Sequence, residues 1–166
     1  MKKTLSILLL LALTLCLFSC ADKGEYLDDV NTASVANAMV ASLAADLDYT
    51  TVGADYLSDF VTIPASVKSC SIMISTEGND LNEIGVFHVD AEKGSVDEVK
   101  KVIETYLTDS LTAYQSWYDG YIPQETPKLI NAEVKVFGNY VIYAILSDAD
   151  KTEAFAAAAD VLAAKK

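Results

Sequence analysis

Glu133-Val134-Lys135-Val136-Phe137-Gly138-Asn139-Tyr140-Val141-Ile142-Tyr143-Ala144-Ile145-Leu146 is the stretch whose reading decides the fold. Two strand-like runs flank a Gly-Asn pair, and a two-residue loop of that kind can adopt the positive φ angles that match strand twist, so the stretch predicts a tight hairpin. Residues 140–146 are apolar on both sides of the strand period. That predicts a central strand covered on both faces.

Working upstream, Ser69 to Thr76 alternates, with Cys70, Ile72 and Ile74 on one side and Ser71, Met73 and Ser75 on the other. This predicts a half-buried strand. Gly78-Asn79-Asp80 supplies turn chemistry before Glu83 to Val89, in which Ile84, Val86 and His88 oppose Phe87 and Val89. The two strands make a second hairpin with a loop of about six residues. Between the hairpins, Gly94-Ser95-Val96-Asp97-Glu98 reads as a helix start: Ser95 caps, and Glu98 reaches back to the cap's own amide. Val99, Val102, Ile103, Tyr106, Ala113, Tyr114 and Trp117 keep helical spacing to about Trp117, with Tyr114 and Trp117 on the core face. Gly120, Pro123 and Pro127 end the pattern.

At the two ends of the domain the period is again helical. Val35, Met39, Val40, Leu43 and Leu47 predict a helix over 33–47, capped by Asn31 or Thr32. After the last strand, Ser147 or Asp148 caps a helix from Asp150 to about Ala164, with Phe155, Ala158, Ala159 and Leu162 facing in. Lys165 and Lys166 suit its negative end. Tyr49 to Val67 shows no period and reads as a packed connector with one short helical turn. The expected architecture is α+β: one antiparallel sheet of about four strands in two hairpins, order α-ββ-α-ββ-α, with helices packed on it.

A chain of 166 residues is one domain in length. It carries 12 lysines, no arginine and 24 acidic side chains, a formal charge of −12. Without arginine's bidentate fork and with net repulsion, binding to nucleic acid and adsorption on anionic lipid are excluded as expectations.

The first twenty residues read as an address. Lys2 and Lys3 precede an unbroken apolar run from Leu5 to Phe18, short for a permanent span of about 30 Å of hydrocarbon. It ends at Leu17-Phe18-Ser19-Cys20, which resembles a bacterial lipobox: an aliphatic residue, a small residue before the cysteine, and the thiol that accepts diacylglycerol. Cys16 is the rival, but Leu15 is a poor neighbour for cleavage. The alternatives are an ordinary signal peptide or an uncleaved anchor. The expectation is a lipoprotein signal peptide over 1–19, a lipidated Cys20 with a polar tether over 20–31, and a single domain over 32–166. Two or three acyl chains, at about 0.8 kcal/mol per buried methylene, would hold it stably at the outer face of the cell membrane.

With Cys16 removed and Cys20 acylated, Cys70 is left as a lone thiol that cannot form an internal disulfide. His88 is the only histidine, too few for paired-imidazole zinc sites, and neither Asp46-Leu47-Asp48 nor Asp148-Ala149-Asp150 continues into a calcium loop. No phosphate-loop, dinucleotide or serine-nucleophile fingerprint occurs, so neither metal nor cofactor is expected. The remaining chemistry is a Cys70 and His88 thiol–base pair, set against the plainer reading of both as packed strand residues. The densest aromatic cluster is Tyr114, Trp117, Tyr118 and Tyr121, followed by Ile122-Pro123. Tyr118 and Tyr121, with His88, are the candidate binding residues for a peptide, glycan or partner protein.

Three segments carry a family resemblance: Glu83-Ile84-Gly85-Val86-Phe87, Tyr121-Ile122-Pro123-Gln124-Glu125 and Gly138-Asn139-Tyr140-Val141. The chain resembles the domain of unknown function 4358 family over about Val30 to Ala164, with His88 where a lysine is more usual. The resemblance implies a small bacterial lipoprotein of this fold and brings no catalytic residues. The functional expectation is a non-enzymatic ligand- or partner-binding module held outside the membrane. A thiol-dependent enzyme using Cys70 and His88, or a structural subunit of an envelope complex, are the alternatives.

Overall fold

The structure, a computed structural model, describes residues 26–164. The leader, Cys20, and Lys165 and Lys166 lie outside the described residues. In chain order the elements are α1 (Thr32–Ala41), β1 (Tyr49–Val52), a 3-10 turn (Ala54–Leu57), β2 (Val67–Ser75) and β3 (Glu83–Val89). Then follow α2 (Val96–Tyr121), α3 (Thr126–Ile130), β4 (Glu133–Phe137), β5 (Tyr140–Ile145) and α4 (Asp148–Leu162).

The fold is α+β with a five-stranded antiparallel sheet in the order β1-β2-β3-β5-β4. The sheet therefore has one strand more than the sequence suggested. The extra strand, β1, comes from the aperiodic connector: it is a four-residue edge strand with exposed Thr50 and Thr51. Its place is set by pairing with Ile72 to Ser75, not by a hydrophobic alternation of its own. The predicted helical turn follows it as the 3-10 segment.

The hairpin that decides the fold forms as read. Gly138 takes φ +57°, the glycine-first pattern of two-residue loops, and Asn139 keeps an ordinary negative φ. Strands β3 and β5 are buried along their whole length. One face of the sheet packs on α1 and α4 through Val35, Met39, Val86, Ile142, Phe155 and Leu162. The other packs on α2, α3 and the 3-10 turn through Leu57, Phe87, Ile103, Leu129, Val141 and Tyr143. Each strand supplies both cores by alternation, which explains the continuous apolar run of β5.

Helix ends differ from expectation for local reasons. Asn31 caps α1 by accepting from the Ala33 amide, but the helix stops at Ala41, not near residue 47. The Ser42 hydroxyl donates to the Met39 carbonyl, and Asp150 takes the Ala44 amide, turning the chain toward β1. Ser95 caps α2 by accepting from the Glu98 amide. The helix runs through Gly120 to Tyr121, because a single glycine costs only about 1 kcal/mol, whereas Pro123 drives Ile122 out of helical geometry. Ser147 is the cap of α4.

The segment Tyr26–Asn31, read as part of a free tether, lies against the domain. Tyr26 bridges Ala163 and meets the Phe137 ring edge-on at 5.5 Å, the Leu27 amide donates to Leu162, and the Tyr140 hydroxyl donates to the Val30 carbonyl.

Candidate functional site

The first position of β3 is a glutamate buried on both sides of the strand. Tyr143 Oη donates to Glu83 Oε1 at 2.5 Å, Tyr106 Oη to the same oxygen at 2.7 Å, and Tyr56 Oη to Oε2 at 3.1 Å. The three phenols come from β5, α2 and the 3-10 turn, so the carboxyl is held by three separate elements. Gly85 makes this possible. It pairs directly with Tyr143, and a Cβ on it would stand 2.0 Å from Tyr143 Cε1. The ring lies over the glycine and delivers its hydroxyl to the residue two positions earlier on the same strand face.

Burial raises the Glu83 carboxyl above its ordinary range, and the hydrogen bonds from Tyr143, Tyr106 and Tyr56 oppose that rise. Burial first, and the neighbouring carboxylate second, push all three phenols up, so they remain neutral donors at any physiological pH.

Glu83 forms part of the lining of an open cavity of about 260 Å³. Its buried floor includes Tyr106, Ser110 and Leu129; its exposed rim includes Tyr56, Asp59 and Tyr114. Ser110 is 5% exposed and its Oγ makes no hydrogen bond; it sits beside the Tyr106 hydroxyl, whose proton is committed to Glu83. A second network braces the wall that carries Leu81 and Leu129: Lys128 Nζ contacts Asp80 at 2.9 Å, Asn82 at 2.8 Å and Glu125 at 2.5 Å, while Glu125 also accepts from the Leu81 amide.

The expected aromatic residues divide. Tyr118 is half-buried and forms one wall of the cavity. Tyr121 is 72% exposed and stacks on Trp117 at 4.9 Å, outside the cavity. Tyr114 and Trp117, read as core, are exposed: the last fully buried residue of α2 is Ser110. Helical spacing alone could not show where the buried part of the helix ends. Tyr114 instead leans edge-on against Phe60 at the rim, and with Trp117 and Tyr118 extends the cavity wall into an aromatic ledge.

His88 does not join this site. It lies near the far end of β3, roughly 17 Å from Glu83 at strand rise. Its ring stacks on Tyr140 at 4.5 Å and Nε2–H donates to Asp28 Oδ1 at 2.8 Å. Hydrogen bonds from His88 and then Asn139 hold the Asp28 carboxyl below its usual range. His88 thus fastens the N-terminal segment.

The thiol–base pair fails on register. Cys70 pairs with Phe87 and Ser69 with His88, so the Cys70 and His88 side chains leave opposite faces of the sheet. Cys70 is half-buried against the α2 face, and burial pushes its thiol up, away from the reactive thiolate. Among the described residues no group of three or more His, Cys, Asp or Glu side chains could hold a metal ion, and no helix is long and apolar enough to cross a membrane.

Sequence reasoning passed over Glu83 as a site residue, since nothing local marks one carboxylate among 24 as buried. The available signal was Glu83-Ile84-Gly85: an acid and a glycine on one strand face, with an aromatic-rich strand to lie across the glycine.

Fold and site together define a small α+β domain with a carboxyl–tyrosine pocket at one end of its sheet. The chain belongs to the family described as Domain of unknown function (DUF4358), whose model matches residues 63–146. That span runs from just before β2 through β5 and contains Glu83, Gly85, Tyr106 and Tyr143; it is narrower than the likeness read from Val30 to Ala164. No curated protein and no solved structure matches the chain.

Proposed function

We propose that the protein is a lipid-anchored, non-enzymatic binding module outside the cytoplasmic membrane, and that the Glu83 cavity is where it takes a small molecule. The observation that carries this reading is a buried carboxyl on the floor of an open cavity, beside a buried hydroxyl with no partner. Burying a carboxyl and leaving a hydroxyl unpaired both cost stability, and an apolar pair of similar size would pack there without that cost. A ligand supplies the missing partner. Tyr114 and Tyr118 belong to both the cavity wall and the ledge, so a molecule longer than the cavity continues along Trp117.

The membrane part of the reading rests on the leader and Cys20. Mass spectrometry of the native product is expected to show a chain that begins at a diacylglyceryl-modified Cys20; a free thiol there, or a retained leader, removes it. For the cavity, a ligand-observed NMR screen of small polar metabolites is expected to give hits whose signals are lost in Tyr106→Leu. Hits that persist in that variant would place binding elsewhere.

A further inference from the structure

The hydrogen-bond bookkeeping of the cavity sets the chemistry of its occupant. Glu83 accepts three hydrogen bonds, two on Oε1 and one on Oε2, and a carboxylate has about four acceptor positions, so Oε2 keeps one free. Tyr56 and Tyr106 spend their protons on Glu83 and present only acceptor lone pairs to the cavity. Ser110 supplies another acceptor, and its proton is the uncommitted one on the buried floor, while the Tyr114 and Tyr118 hydroxyls lie on the more exposed wall. Asp59 stands at the rim. No lysine or histidine is among the lining residues, and the walls are aromatic faces of Phe60, Tyr114 and Tyr118. With two acidic side chains, no cationic one and aromatic walls, the cavity suits a group that is positive and carries several N–H donors.

We propose that the Glu83 cavity selects the primary ammonium group of a small molecule, seated between Glu83 Oε2, the Tyr56 and Tyr106 oxygens and Ser110 Oγ. The proposal rests on the reading of this cavity as a ligand site. It names the head group and leaves the body of the ligand to the ledge. The volume, just under the usual range of about 300–1,000 Å³ for small-molecule pockets, limits the enclosed part to a few heavy atoms.

The test uses the full chain in dodecylmaltoside, titrated by NMR with butylammonium, 1-butanol and butyrate, three probes of one shape and different charge. Butylammonium is expected to bind about ten- to a hundredfold more tightly than 1-butanol, with butyrate not binding. Glu83→Gln should lose most of that preference, and Ser110→Ala should weaken butylammonium a few-fold while leaving 1-butanol unchanged. The comparison among probes on the wild-type chain stands even if a variant misfolds. Binding of 1-butanol or butyrate as tight as butylammonium would overturn the ammonium assignment and leave the cavity as a ligand site. Binding of none of the three, together with an empty metabolite screen, would overturn both.

Discussion

Gly85→Ala offers the most direct test of how the site is built. The added methyl would lie 2.0, 2.6 and 2.7 Å from three carbons of the Tyr143 ring, well inside contact distance, and the ring belongs to a fully buried residue on a central strand. Either the strands separate or the ring swings away. Overpacking of this kind costs about 1–3 kcal/mol. Swinging the ring also breaks the 2.5 Å hydrogen bond to the Glu83 carboxyl, worth about 1.5–3 kcal/mol for a charged acceptor. The expected loss is about 3–5 kcal/mol, a large share of the ~5–15 kcal/mol of a typical domain. Equilibrium urea unfolding followed by far-ultraviolet circular dichroism measures it. The mechanism also predicts a coupling: in a Tyr143→Ala background, where the obstructing ring is gone, the same substitution should cost at least ~1.5 kcal/mol less. A loss below about 1 kcal/mol in the wild-type background, or equal losses in both backgrounds, would refute the account of Gly85 as the space that admits Tyr143.

Glu83→Gln should change the pH dependence of stability. The folded state holds the Glu83 proton more tightly than the unfolded chain, whose ordinary value is 4.5, so its contribution is full below that value and is lost as pH rises through the raised folded one. The Tm of the glutamine variant should therefore gain on wild type as pH is raised from 4.5 upward; a constant difference would contradict this. Trp117→Ala and Tyr121→Ala, on the exposed ledge, should each alter unfolding free energy by no more than about 0.5 kcal/mol, whereas a core aromatic would cost about 3–5. Cys70, half-buried with its thiol pushed up, should react with iodoacetamide at pH 7 more slowly than in the urea-unfolded chain, and Cys70→Ser should leave cavity binding unchanged. Rapid alkylation of the folded protein would reopen thiol chemistry.

What the sequence made legible was local. The 133–146 hairpin and the Ser95 cap depend on a two-residue loop and a three-residue spacing, and both are present. Strand β1 was hidden because a four-residue edge strand takes its conformation from its neighbour. The ledge was misread because periodicity shows which side of α2 is apolar and not how far along the helix that side stays buried. Tyr118 and Tyr121 were both seen as off the core stripe, but only the fold turns Tyr118 toward a cavity. The carboxyl–tyrosine cluster joins residues 56, 83, 106 and 143 from four elements, and a contact between residues 60 positions apart leaves no mark on either neighbourhood. His88, prominent for being the only histidine, stacks on Tyr140 and is tied to Asp28, away from the cavity.

The clasp formed by Tyr26, Leu27, Asp28 and Val30 has a mechanical meaning. Its bonds to Ala163, Leu162, His88, Asn139 and Tyr140 follow one another along five residues, so a pull on the leading end of the chain strips them in sequence, like a zipper. While the strip holds, the pull reaches β3 and β5 through His88 and Tyr140, which pair with each other at one end of those strands. Glu83 lies at the opposite end of β3, and its three phenols keep their geometry while the leading end is tugged.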